Sequence, residues 1–309
     1  MKRFKNILLY ADGATEPNQA LERAVQLASQ NNARLTVIDV IEEYKSSLQI
    51  QNRLGTNLNE ALREYRRQAL EEMIKPFDTG NLIDIKVSSG TPFVQVIHSV
   101  LWDHYDLLIK AARPPEGFSE KLFGSTDMHL MRKCPCPVWI ENPDATHPYQ
   151  RILAAVDPVD TESAYCARLV MDLATSLSQR ESATLSVAHV WRALGESTLR
   201  SGRLRIPDDE LEQYITQTLN HHQQALDELV GHYDLSSSDP DVYLLKGNPA
   251  AEINELCKEL QTDLIVMGTV GRTGIPGFFI GNTAEEILQT TSASVLTVKP
   301  ANFISPLVV

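Results

Sequence analysis

The stretch Asp263-Leu-Ile-Val-Met267-Gly268-Thr-Val-Gly271-Arg-Thr-Gly274-Ile-Pro-Gly277-Phe-Phe-Ile-Gly281-Asn282-Thr283 decides how the chain is read. It passes from a short apolar run of buried-strand type, through a glycine-rich loop, into Ala284-Glu-Glu-Ile-Leu288, the start of a helix. Glycines at 268, 271 and 281 suit positive φ or a close approach of backbone to a ligand. Asn282 and Thr283 offer side-chain acceptors for a helix cap, beside N–H groups that have no partner within the helix. Such a corner favours a phosphate, through those N–H groups and the helix dipole. It is not a Walker loop, because no Gly-Lys-Ser/Thr follows the glycines. The other reading of the stretch is a glycine-rich connection with a packing role only.

Outward from this loop, the chain repeats itself. In the first half, Ile7-Leu-Leu-Tyr-Ala-Asp12 reads as a strand ending at an acid, and Pro17 opens a helix with Ala20, Leu21, Ala24, Val25, Leu27 and Ala28 at three- and four-residue steps. Leu35–Val40 is β-branched and strand-like. A helix is predicted over 58–74, with Leu58, Ala61, Leu62, Tyr65, Ala69, Leu70 and Met73 on its apolar face. Strands at Ile83–Ser88, Asp106–Lys110 and Pro137–Ile140, with helices from Phe93 and Ser125, complete the half. Strands alternating with helices predict a parallel sheet covered on both faces.

The order then begins again after the polar linker Glu141–Pro148. Arg151–Asp157 restates the first strand with its acid, and Leu185–Val190 restates the second. Gly247-Asn-Pro249 answers Gly90-Thr-Pro92, and Asp263–Met267 answers Asp106–Lys110. Asp157 stands 145 residues after Asp12, while Asp263 follows Asp106 by 157 and Gly281 follows Gly124 by 157. Preserved element order and loop length mark a tandem duplication, with domains predicted at 1–145 and 146–309. The expected fold is α/β: two Rossmann-like, doubly wound units, each a five-stranded parallel sheet of order 3-2-1-4-5. Extra residues in the second copy fall at Arg192–Asp209, ahead of a helix predicted over 208–230. Within that helix, His221 and His222 point about 100° apart and read as solvent or packing residues rather than a ligand pair.

Composition narrows the function. The 309 residues are 43% apolar and carry a net charge of −12. That argues against the basic face needed for direct nucleic-acid binding and for anionic membranes. No run has the length of a transmembrane helix, and Asp12 interrupts the short N-terminal apolar segment, so a cytoplasmic protein is expected. Cys134-Pro-Cys136 lacks further ligands at metal spacing and reads as structural thiols.

In open parallel sheets, ligands bind beyond the carboxyl ends of the strands, where strand order reverses. With order 3-2-1-4-5, Asp157 and the Gly268 loop meet at that point. Asp157 is then an acceptor for ribose hydroxyls, the backbone at Gly268, Gly271, Gly281, Asn282 and Thr283 a phosphate cradle, and Val190 a neighbour of a flat base. The alternative for Asp157 is a cap bonding its own turn.

These residues resemble the universal stress protein family in its tandem-domain form. The family motif has Gly, two residues, Gly, nine residues, Gly, then Ser or Thr; here it reads Gly268, Gly271, Gly281, with Asn282 in place of the hydroxyl residue and Thr283 next. Thr126–Pro135 carries the likeness in the first half. The resemblance implies a stress-response regulatory protein that binds ATP or AMP in its second half, any magnesium arriving with the nucleotide. In the first half, Ala111 and Pro114 stand where the cradle has glycines, so no nucleotide is expected there. The family also implies two domains about a pseudo-twofold axis, with Val138–Ile140 and Val295–Val298 pairing inside one chain, as a monomer or further as a homodimer, and a protein partner not named by the sequence. An apolar ligand beside Phe123, Phe278 and Phe279, or a ligand-free scaffold, is the alternative. No enzymatic motif is present: there is no Gly-x-Ser-x-Gly elbow and no His-Glu-x-x-His. The chain is therefore read as a non-enzyme.

Overall fold

A computed structural model describes residues 4–43, 55, 57–77, 83–113, 122–159, 161–201, 206–269 and 281–307. Contacts divide the chain into two units. The first takes Met1–Ala145 with Ser294–Val309, and the second takes Thr146–Gly274 with Ile280–Ala293.

Five short apolar runs build the first unit's parallel strands: β1 (Asn6–Tyr10), β2 (Arg34–Ile41), β3 (Ile83–Ser89), β4 (Leu107–Ala111) and β5 (Val138–Glu141). They lie in the order β3-β2-β1-β4-β5. Ile7, Leu8, Leu35, Val37, Ile38, Leu107, Leu108 and Ile109 are sealed from solvent. Each such side chain stabilises the fold by about 1.5–3 kcal/mol. The helices are α1 (Gln19–Asn31), α2 (Leu58–Ile74), α3 (Pro92–Asp103) and α4 (Ser125–Lys133). α1 begins two residues after Pro17, where Asn18 is the cap and accepts from Leu21 N. α2 has the predicted limits, and Leu70 and Met73 of its predicted face are buried, but Tyr65 is 65% exposed and Arg66 is buried in its place.

The second unit repeats the plan with β6 (Arg151–Ala155), β7 (Thr184–Trp191), β8 (Val242–Lys246) and β9 (Leu264–Gly268), all parallel in the order β8-β7-β6-β9. Its helices are α5 (Thr161–Glu181), the short α6 (Glu196–Arg200), α7 (Asp208–Val230), α8 (Pro249–Glu259) and α9 (Asn282–Thr290). α5 packs on β6 and β9. The added residues after β7 enclose a small core of Trp191, Ala193, Leu211 and Ile215.

The last strand, β10 (Ser294–Val298), belongs by its contacts to the first unit. It pairs antiparallel with β5, Leu296 opposite Trp139 and Val295 opposite Ile140. No described helix is long and apolar enough to cross a membrane. Cys134 and Cys136 are free buried thiols with sulfurs 3.5 Å apart. Burial and the Cys134 contact push the Cys136 thiol well up from its usual range.

Candidate functional site

In the second unit the C-terminal ends of β6 and β9 lie side by side, with Ala155 opposite Met267. Val156 continues the ladder through its N–H to the Ala188 carbonyl, 2.9 Å away, and the half-buried Asp157 follows. Pro158 biases Asp157 towards extended backbone. Gly268 closes β9, and Gly281 N donates to the Thr269 carbonyl at 2.8 Å. That bond ties the start of α9 to the end of β9. Asp157, Gly268, Gly281, Asn282 and Thr283 are therefore gathered at one end of the strand pair. Val190, half-buried near the end of β7, flanks it on the other side of β6. Gly271 lies outside the described residues.

Two local expectations are corrected. The cap of α9 is Gly281, not Asn282: Asn282 is the first helical residue, and no side chain bonds the cap. The turn entering α9 leaves Asn282 exposed, so the unit offers backbone N–H groups here rather than an amide acceptor. Nor does Gly281 need a positive φ, since it sits at −60°. At Gly268 an added Cβ would meet Cys166 Sγ at 3.6 Å, an ordinary contact, so neither space nor φ demands glycine there.

The equivalent corner of the first unit has a different chemistry. Lys110, on β4, is 1% exposed, and its ammonium stands 2.9 Å from Asp12 Oδ2 and 2.7 Å from Asp127 Oδ1. It also donates to the Ala111 carbonyl at 2.8 Å. Tyr10 donates its hydroxyl proton to Asp12 at 2.9 Å, and Gly124 N donates to Asp127 at 2.9 Å. Burial pushes the Asp12 carboxyl up, but the charge and hydrogen bond of Lys110, with Tyr10 and Arg113, outweigh it and hold Asp12 below the usual range. Asp127 is more deeply buried, and there burial wins: its carboxyl is raised despite Lys110 and the N–H groups of Gly124 and Arg113.

Register identifies the counterparts. Tyr10 pairs with Lys110 as Ala155 pairs with Met267, so Lys110 corresponds to Met267. Gly124 and Gly281 each cap their helices, so Asp127, three residues on, corresponds to Ala284. The acid at the strand end is kept in both units, as Asp12 and Asp157. The lysine and the second acid are not: Met267 and Ala284 stand at their positions in the second unit. A lysine directly after the apolar run Leu107–Ile109 was the sequence signal for this network. Two further buried pairs, Asp39–Arg66 and His189–His222, escaped the sequence reading. Each joins a strand to a helix far along the chain.

Two doubly wound repeats with a strand-end acid and a glycine-capped helix define the class, and comparison places the chain within it. Residues 3–140 and 148–299 each match the universal stress protein family, so the chain belongs to that family, whose name ties it to the stress response. Universal stress protein E of Photorhabdus laumondii is 26% identical over 313 residues, spanning 99% of this chain and 98% of that protein. Universal stress protein E of Escherichia coli K12 is 27% identical over 312 residues, spanning 99% and 97%. Among solved structures, a putative universal stress protein from Pseudomonas aeruginosa UCBPP-PA14 shares the fold with a TM-score of 0.70 at 22% identity, over 97% of this chain and 95% of that one.

Proposed function

We propose that the second unit binds an adenine nucleotide, ATP or AMP, and that the chain acts in the stress response as a nucleotide-dependent regulator. The observation that carries this reading is the contrast between the two strand-end corners. In the first unit the acid of β1 is neutralised by Lys110, which Asp127 also holds. In the second, the apolar Met267 and Ala284 take those places, so neither a lysine nor a second acid fills the corner between the Asp157 strand end and the N-terminus of α9. Asp157 would accept from the ribose hydroxyls, and the N–H groups at 281–283 would receive a phosphate. Val190 would lie against the base. Regulation then requires that the nucleotide bind two states of the protein unequally.

The test builds the first unit's network into the second, with the double variant Met267→Lys/Ala284→Asp. Isothermal titration should show ATP or AMP binding to the wild type. In the variant, losing a charge-assisted acceptor worth about 1.5–3 kcal/mol weakens binding by roughly ten- to a hundred-fold. Wild-type protein that binds neither nucleotide would overturn the reading. The unit is proposed to bind nucleotide without turning it over, and ATP hydrolysis well above that of the double variant would overturn that part alone.

A further inference from the structure

The duplication puts two different latches at one position of the fold. Ile7 pairs with Leu35 as Ile152 pairs with Leu185, and Ala11 N bonds the Ile38 carbonyl as Val156 N bonds that of Ala188. Asp39 and His189 are therefore equivalent residues. On the helices, buried Arg66, Leu70, Met73 and Ile74 of α2 have the spacing of buried His222, Leu226, Leu229 and Val230 of α7. Arg66 and His222 are equivalent too. In the first unit, Arg66 donates to Asp39, and Asp39 accepts from Gly13 N at 3.2 Å. In the second, His222 Nδ1 lies 2.8 Å from His189 Nε2, with the rings stacked, and His189 Nδ1 lies 3.1 Å from the Val156 carbonyl. Both latches hold the backbone that carries the strand-end acid.

The two respond differently to protons. A guanidinium–carboxylate pair keeps its charges throughout the physiological range. A carbonyl only accepts, so His189 Nδ1 carries a proton; in the neutral ring Nε2 is then an acceptor, and His222 Nδ1 is its donor. The contact between the rings takes a single proton, so both bonds are kept only while no more than one proton is added to the pair. With both rings fully protonated, two N–H groups would face each other across 2.8 Å. The folded pair thus holds one extra proton at most, while in an unfolded segment both imidazoles take one as pH falls through about 6.5. The latch is accordingly stable above that range and weakens below it. Among the described residues, charged and titratable groups near the pair include Asp157, one residue beyond Val156 on the β6 side, and His221 on α7, its ring 6.0 Å from that of His222. Trp191 on β7 lies 6.1 Å from His222, with the Lys246 ammonium of β8 5.3 Å over the Trp191 ring. Asp172, on the neighbouring helix α5, is bonded to the Tyr233 hydroxyl at 2.8 Å.

We infer that His189 and His222 are a positioning pair that makes nucleotide binding in the second unit proton-linked. Holding no more than one proton, the pair fixes the Val156 carbonyl and hence Asp157; a second proton releases it. The ligand in this statement rests on the nucleotide reading above, whereas the proton linkage is readable without ligand.

The experiment uses the full chain at about pH 7.5 and about pH 5.5. Hydrogen exchange of ligand-free protein, corrected for its intrinsic pH dependence, should rise at 150–159 by up to about ten-fold per pH unit for one proton. The equivalent segment 5–14, latched by Asp39 and Arg66, should stay level. AMP affinity of the wild type should fall over the same interval more steeply than that of His189→Asp/His222→Arg, which moves the first unit's latch into the second and controls for titration of AMP itself. His222→Gln, which keeps a donor but does not titrate, serves if the double variant does not fold. Equal exchange behaviour at 150–159 and 5–14 would overturn the proton linkage. AMP binding with the same pH dependence in wild type and His222→Gln would overturn its coupling to the site, and no AMP binding at either pH would overturn the nucleotide reading and the coupling with it.

Discussion

At the scale of single residues, the two units differ most at Lys110 and Met267. A buried ammonium is tolerated only with its countercharges in place, and Lys110 has two carboxylates within 3 Å. Replacing it with the second unit's residue, Lys110→Met, leaves Asp12 and Asp127 facing each other without their buried cation, Asp12 keeping only the exposed Arg113 at 3.9 Å. The expected loss is about 3–5 kcal/mol, measured as a lowered midpoint in urea denaturation. The double variant Lys110→Met/Asp127→Ala reproduces the second unit's corner and should regain most of that loss. If the double variant is no more stable than the single one, Lys110 is not held by this pairing. Arg66 makes the same point about reading sequence. Helical periodicity put Tyr65 inside and left Arg66 out, because a charge has no claim to burial until Asp39 is known to meet it.

At the scale of elements, helix limits follow local chemistry closely. α2 and α7 run over the predicted 58–74 and 208–230. Their ends depend on caps and flanking residues that act within a turn, which is why they are legible. Equivalent caps in the two units are nevertheless unequal. Asn248 accepts from Ala250 N and Ala251 N at 2.9 and 3.2 Å, whereas Thr91, its counterpart before α3, makes no side-chain cap bond. Asn248→Ala should therefore cost about 1 kcal/mol in chemical denaturation, and Thr91→Ala clearly less. Equal costs would show that neither side chain caps its helix. At α9 the cap was misread by one residue. Asn282 has the right chemistry for a cap, but Gly281 takes the position, bonded back to Thr269. That bond spans a loop, and no local rule contains it.

At the scale of the whole molecule, the duplication is visible in the amino-acid order, but the membership of its last strand is not. β10 follows the second repeat in sequence and completes the first unit's sheet against β5. Val295, Leu296 and Val298 are all sealed from solvent, and each is worth about 1.5–3 kcal/mol of burial. A chain ended after Ala293 would bare the edge of β5, with Trp139 at its centre. Unpaired apolar edges recruit other chains. Gel filtration of that truncated protein should show association or aggregation, and a well-behaved species of unchanged size would show that β10 is dispensable to the first unit.

Alternating strands and helices, the repeated element order, the family, and the strand-end acids all follow from the amino-acid order, because each is set by chemistry acting within a few residues or by direct repetition. Tertiary structure alone decided that Lys110 neutralises Asp12, that Arg66 meets Asp39, and which histidines meet. A buried charge or imidazole is stable only beside a partner, and each partner here arrives from a strand or helix distant along the chain: Asp12 to Lys110, Asp39 to Arg66, His189 to His222.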